Sequence, residues 1–533
     1  MPITATAAKG VINIALEATN GEQLLLATTA VSPTMTGITV PASLAGTRLH
    51  IKIINWGTSG TLTINGTGNP NNTETVNVAS QTVQQVQSAQ MASFEYVSTS
   101  AYTVVTNITT TGLTNALITV YGIQSGKFQL PSTMKSKRTP KTYSPNEHNS
   151  LIERDKKILQ LTNETSIDEV KQDVYGDLSL WWPYMMMGAP TSVTTVPASP
   201  VSLFAATALS ETQTLTTQPT APGMKLIIAI TAFTTPGSIT INGTSYGQAV
   251  NETIIVSANG TYYSSNVYSS VASVSNTGVV GTMAITGVYG WQLSFLSSGN
   301  KYSAAIEWFD GTGSWTHPFS FATEGDFDIK VATEATITIK GKAQDKLPIG
   351  DRTTSPLSGI NRISSLGTNL SDLPMVGWQT AVYMDPITGS PLTTQYGDMQ
   401  ELKVSLKVPD EDSYTFTNSQ NFNRVYAGKR EATADCTLLF NDMYQWEQFR
   451  QNLKQYLSFQ FLGQYLGTAA GNAFYESWTW VLPVRSDGDF EPTSDPSKGT
   501  VTAKAMWRCE YDQGIGGSYK LVVITRMPPT YAS

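Results

Sequence analysis

The chain has 533 residues, 40% hydrophobic and only 14% charged, with a formal net charge of −7 and a pI near 5.2. High hydrophobicity with low charge excludes an intrinsically disordered chain. The length calls for several domains, and the acidic balance argues against a general nucleic-acid binder, which must neutralise phosphates. An abundance of Thr, Ser, Asn and Val beside 42 Gly points to strands and turns, so the class is mainly β. Cys436 and Cys509 are the only cysteines, too few for a disulfide framework, and no CxxC or Cys/His pairing indicates zinc. The opening MPITATAAKG has no signal-peptide pattern. The apolar run at 226–233 is far short of the roughly 20 residues that span a bilayer. Cytoplasmic folding without membrane insertion is expected.

Residues 1–126 read as a β-sandwich module. Short strands are expected at 47–54, 61–64, 73–78, 91–97, 101–105 and 116–122, with Asn65-Gly66 as a tight-turn signal. The pattern returns at 200–298. GTLTINGT at 60–67 matches GSITINGT at 237–244, Gly46-Thr47-Arg48-Leu49 aligns with Gly223-Met224-Lys225-Leu226, and ALITVYG ending at Gly122 is paired with MAITGVYG ending at Gly290. Two copies indicate a duplicated module, not a solenoid. Asn-x-Thr triplets at Asn65, Asn107, Asn242, Asn251 and Asn259 fit hairpin chemistry better than glycan acceptors. The modules' aromatic residues (Trp56, Phe94, Tyr96, Tyr102, Tyr262, Tyr263 and Tyr268) serve either packing or a weak contact with host-surface glycan.

Between the modules, Lys135, Lys137, Arg138 and Lys141 form a basic cluster, read as a solvated arm or as a contact for DNA or for an acidic patch on a neighbouring subunit. The spacing predicts a helix over 148–161. A compact apolar element follows at 178–188, with Trp181, Trp182 and three consecutive methionines. Past residue 298, strands are expected at 302–308, 315–321, 326–329 and 335–340. Residues 345–370 look like a linker, and a second unit follows with strands near 378–384, 399–408, 478–483, 500–511 and 519–525. Its centre is 422–463. In 430–440, after Arg430, the residues Ala432, Ala434, Cys436, Leu438 and Phe440 share one face at period two. Asn441 or Asp442 caps a helix whose stripe is Met443, Trp446, Phe449, Leu453, Tyr456 and Leu457.

The stretches 422–463, WRCEYDQGIGGSYKLVVITR at 507–526 and YGDLSLWWPYMMMG at 175–188 resemble the major tail tube proteins of long-tailed (siphovirus-type) bacteriophages. The resemblance covers roughly 127–195 and 299–533. It implies tail-tube-type β-sandwich/barrel units with a flanking helix: unit 1 in 127–199 and 299–350, unit 2 in 351–533, with modules 1–126 and 200–298 as outward decorations. It further implies a structural virion protein of the tail, made in the bacterial cytoplasm, whose subunits pair strands laterally into rings that stack as a hollow tube. The partners are then other copies of the chain (a trimer favoured over a hexamer), the tape-measure and tail-end proteins, and double-stranded DNA passing through the lumen without specific binding. Arg430, Cys436, Phe440, Met443, Trp446, Phe449, Leu453, Tyr456, Trp181 and Trp182 become candidate packing and assembly residues, with the 430–440 strand in the lumen wall and the helix on the outer face.

No catalytic, cofactor or metal set is expected. His50, His148 and His317 lack a neighbouring Ser or Cys motif, no phosphate-binding glycine loop occurs, and the carboxylates at Asp410-Glu411-Asp412 and Asp487/Asp489/Glu491 read as solvated loops. The rival reading is a receptor- or carbohydrate-binding tail fibre or decoration protein of a virion.

Overall fold

The computed structural model describes the strands within residues 11–143 and then residues 159–527, apart from 246, 257, 300, 302, 310–313, 349–373, 414–423, 441–442, 489 and 496–499. The central body is built from the Thr133–Tyr143 and Glu491–Asp495 strands together with β1 (Leu159–Asp173), β2 (Ser192–Val196), β3 (Gly290–Leu296), β4 (Ser314–Lys330), β5 (Thr336–Ala343), β6 (Thr380–Pro386), β7 (Met399–Lys407), β8 (Glu431–Leu439), β9 (Gln455–Ala469), β10 (Asn472–Ser486), β11 (Thr500–Cys509) and β12 (Lys520–Thr525). The helices are α1 (Trp181–Met187) and α2 (Tyr444–Arg450). The architecture is mainly β, as the composition predicts. The two short strands expected at 315–321 and 326–329 are one long strand, β4.

One sheet runs from the Thr133–Tyr143 strand through β1, β5, β4, β7, β8 and β11 to the Glu491–Asp495 strand, antiparallel throughout. It consists of two halves with the same strand order. In the first half, a hairpin (133–143 with β1) is followed by a second hairpin (β4 with β5) whose later strand, β5, lies against the first. In the second half, β7 with β8 is followed by Glu491–Asp495 with β11, again with the later strand inside. The halves join where Glu324–Lys330 of β4 pairs with 401–407 of β7. A buried ion pair from Lys301 to Asp410, 2.6 Å, crosses between the two ranges, and burial lowers the Lys301 ammonium to about 8. The boundary expected at 351 lies outside the described residues. One apolar core extends from Met134 to Met527, so the two ranges fold around a shared interior.

The second sheet is ordered β2–β3–β12–β10–β9–β6. It meets the first at a corner where Val484 and Cys509 are partners. Between the sheets, Phe327 of β4 stacks on Trp478 at 5.9 Å and meets Trp480 (5.7 Å), Phe461 (5.6 Å), Phe459 (6.1 Å) and Trp182 (6.2 Å). Helix α1 lies inside the core, since Trp181, Trp182, Tyr184 and the three methionines are fully buried. It stops at Gly188, whose φ of 94° suits a residue without Cβ.

The module at 200–298 leaves and re-enters the body through adjacent strands, Val196 being the partner of Gly290. It packs two four-stranded sheets around Ile228, Ile239, Ile241, Tyr268 and Ile285. The described strands of the first module repeat its topology strand for strand. Gly60–Thr67 pairs with 73–78 and 104–111 as Gly237–Ser245 pairs with 248–256 and 270–277, and the bulges after Asn65 and Asn242 coincide. The expected match of Gly122 with Gly290 is corrected by three residues: Leu49 faces Gly122 and its counterpart Leu226 faces Gly287. Pattern matching on Val-Tyr-Gly misses this because strand register, not local identity, defines the equivalence.

Candidate functional site

Period-two alternation gives the first sheet a polar outer face. In β8, Ala432, Ala434, Cys436 and Leu438 are buried, while Glu431, Thr433, Asp435 and Thr437 point out. The register lines the outward residues into rows across the strands: Lys340–Glu324–Lys407–Glu431, then Lys171–Thr338–Asp326–Ser405–Thr433–Arg508, then Asp173–Thr336–Asp328–Lys403–Asp435–Met506, then Lys330–Glu401–Thr437–Lys504. Opposite charges thus recur as cross-strand neighbours. Nζ of Lys340 lies 3.2 Å from Glu324, Lys403 is 3.1 Å from Asp326, and Lys330 is 3.4 Å from Glu401. Ser405 Oγ donates to Asp326 at 2.7 Å. Asp328, Lys330, Glu401, Lys403, Asp435 and Lys504 line a shallow depression in this face. Partial burial there raises the Asp435 carboxyl, Lys403 opposes the rise and Asp326 reinforces it.

The outer face of the second sheet differs in kind. Two of its rows, Thr194–Gln292–Ile524–Ser477–Leu462 and Ser192–Ser294–Val522–Thr479–Gln460–Ala381, lack an ionisable side chain, and the next, Leu296–Lys520–Val481–Ser458–Tyr383, carries Lys520 as its one charge. Charge is therefore denser on the outer face of the first sheet.

The sequence-predicted site residues divide between these surroundings. Cys436 lies in β8 on the buried side, donating to the Ala505 carbonyl at 3.4 Å, and burial holds its thiol well above the usual range. Arg430 precedes β8 and donates through Nη1 to the Ser297 carbonyl, tying the two ranges together. Phe440, Trp446 and Phe449 form a half-buried ring cluster around Phe490, with centroids 5.7–5.9 Å apart. The helix expected to run through Leu457 ends at Arg450. Asn452 takes a left-handed φ of 48°, after which the chain becomes strand β9. Consequently Met443 (55% exposed) and Leu453 (43%) are at the surface. Tyr456 sits in β9, donating to Asp512 at 2.8 Å, and Leu457 is buried in the same strand. The capping residues Asn441 and Asp442 lie outside the described residues. Trp181 donates to Gln172 at 2.8 Å and Trp182 to the Thr338 carbonyl at 3.2 Å, both from the core.

The basic cluster is part of an edge strand. Lys135 pairs with Glu169 at 2.6 Å and Arg138 with Asp345 at 2.9 Å. Of the helix expected at 148–161, residues 159–161 belong to β1 and the rest lie outside the described residues. Among the module's aromatic residues, Tyr268 is fully buried on Glu252 at 3.0 Å, and Tyr263 packs on Trp291 at 5.6 Å. These two rings serve packing. Sequence reading missed the charged rows, although their signal is present in the alternation of Asp326, Asp328 and Lys330 and of Glu401, Lys403 and Ser405.

No family model matches the chain, and no curated protein matches it. Among solved structures, it is similar to the PBSX exported protein XepA at 14% identity and a TM-score of 0.12, over 52% of this chain and 84% of that one. At that score the two chains do not superpose as wholes. Among the described residues no helix is long and apolar enough to cross a membrane.

Proposed function

We propose that the chain is a structural virion protein that self-assembles into rings, stacked as the hollow tail tube of a long-tailed phage, with its two repeated modules as decorations. The observation that carries the reading is the first sheet. Two four-stranded halves of the same order are joined edge to edge, and the ends of that sheet are strands of the same two kinds, Thr133–Tyr143 and Glu491–Asp495. The joint between β4 and β7 is then a template. Repeating it from copy to copy places Glu491–Asp495 of one chain against Thr133–Tyr143 of the next and removes both open edges. Two halves per chain favour a trimeric ring with pseudo-sixfold character. The charged face lines the lumen in this arrangement, and the modules project outward, where they leave the channel clear.

Negative-stain electron microscopy of the full-length protein tests the reading. Rings of constant diameter with threefold symmetry and peripheral knobs, alone or stacked into tubes, are expected. Solid, elongated, non-stacking trimers would overturn it in favour of a fibre or decoration protein.

A further inference from the structure

We propose that the outer face of the sheet containing Gly237–Ser245, in the module at 200–298, binds an uncharged polysaccharide, and that the first module repeats the site. The proposal stands on the modules alone and does not need the tube.

Between residues 200 and 298 the only Lys, Arg, Asp or Glu side chains are Glu211, Lys225 and Glu252. Two of them are turned into the protein. Lys225 is 1% exposed and donates to the Ser264 carbonyl at 3.4 Å. Glu252 is buried and accepts from Asn266 Nδ2 and from the Tyr268 hydroxyl, each at 3.0 Å. Glu211 is left as the one exposed charge. The surface of a soluble domain ordinarily carries about 25–35% charged side chains, and the outer face of the first sheet shows Lys, Asp and Glu on strands of this same chain.

Hydroxyl and amide groups take the place of charge. Buried Ile239 and Ile241 alternate with outward Ser238, Thr240 and Asn242. Register sets the outward residues in rows, Thr253–Thr240–Ser275 and Asn251–Asn242–Ser273, flanked by Ile255–Ser238–Thr277. The rows are tied laterally. Asn251 Nδ2 donates to Asn242 Oδ1 at 2.7 Å, Asn242 Nδ2 donates to Ser273 Oγ at 3.2 Å, and the Thr240 and Thr253 hydroxyls lie 3.1 Å apart. Side chains held in this way present their remaining donors and acceptors already oriented, so less rotamer entropy is lost on binding. In the first module, register places Thr75–Thr63–Thr109 and Thr73–Asn65–Asn107 at the equivalent positions.

This chemistry selects the ligand. A nucleic acid or an acidic glycan calls for cations, and these rows contain none. Face-to-face packing of a second sheet calls for interdigitating apolar side chains, and Ile255 is the one aliphatic residue in the three rows. Sugar hydroxyls donate and accept, as Thr, Ser and Asn do, and neither surface then has an ion to desolvate. No aromatic ring stands in the rows, so each site gains only hydrogen bonds exchanged with water and binds weakly. A polymer that engages several modules at once adds effective concentration, which is the natural use of a duplicated weak site.

The test is affinity electrophoresis of the full-length protein in native gels cast with dextran, mannan or levan, with alginate as the acidic counterpart, each read against a gel without polymer. Retardation is expected in at least one neutral gel and not in alginate. Asn251→Lys/Thr253→Lys combined with Thr73→Lys/Thr75→Lys should abolish it. Alanine at the same four positions, which adds no charge, should weaken binding at least about fivefold, and it decides the matter should the lysine variant fail to fold. A control, Ala206→Lys/Thr261→Lys, places lysines at exposed positions of the module's other sheet and should keep full retardation. No retardation in any neutral gel would overturn the proposal, as would retardation that survives both sets of substitutions, is lost equally in the control, or is stronger in alginate. Microscopy of the same preparation reads the tube separately: rings from a protein that ignores all three neutral polymers leave the tube standing and sink this proposal, and binding without rings does the reverse.

Discussion

Glu476 is a carboxylic acid enclosed in the protein interior. It is 2% exposed, and Gly176 packs so closely that a Cβ there would collide with the carboxylate oxygen. Burial first, and Asp177 second, raise its carboxyl well above the ordinary range. The folded state therefore holds a proton that the unfolded state releases above its ordinary value of 4.5. The stabilisation is fully present below that value and is lost as pH rises toward the shifted one, at about 1.4 kcal/mol per pH unit. Compared in urea melts at pH 5, 6 and 7, Glu476→Gln should lose less stability than the wild type as pH rises, because the variant lacks this contribution. His317 works in the opposite direction. Burial lowers it to about 4, so its contribution is present above 6.5 and is lost as pH falls toward 4. At Phe327, in contact with five other rings, Phe327→Ala should cost about 3–5 kcal/mol, read from the same melts.

Among elements, the short helices show where pattern reading stops. The stripe at spacings of three and four in 443–457 is real, yet it serves a helix only to Arg450 and a strand from Gln455. Asn452 makes the break, because Asn accepts a left-handed backbone at low cost. Asn452→Gly should leave the unfolding midpoint nearly unchanged, whereas Asn452→Val should lower stability by about 1–2 kcal/mol. The β9–β10 hairpin also holds the module at 200–298. Tyr289 donates to the Thr468 carbonyl at 2.9 Å and packs with Met224 and Leu466. A Cβ on Gly467 would collide with the Tyr289 ring. Gly467→Ala should therefore undock the module, seen as faster hydrogen exchange near 224 and 289 with little change across β7 and β8.

For the whole molecule, the consequence lies in how many equivalent joints one chain contains. The first sheet already contains one joint between halves and leaves two edges that can form others, so in the proposed tube closure by three copies is the expected symmetry. Class averages with threefold symmetry would agree, and a sixfold count of chains would mean that the two halves do not act as separate tube units. In the proposed tube, the face of the second sheet that bears Gln460 should stay outside the channel. A thiol placed by Gln460→Cys is then expected to remain outside a lumen filled with DNA, while one placed by Lys504→Cys is shielded, as read by maleimide labelling.

Composition and alternation were enough to establish a mainly β chain, the duplicated modules and the inward face of β8, because strand period and turn chemistry are local properties of neighbouring residues. The apolar run Trp181–Met187 likewise announced a buried element. What remained hidden depends on partners distant in sequence. The charged rows exist only once β4, β5, β7, β8 and β11 are set in register, which brings Glu324 beside Lys340 and Lys407 beside Glu431. The shared core and the correction from Gly290 to Gly287 are also long-range outcomes. Hydrogen-bond register and core packing decide them, and no window of sequence contains both sides of either.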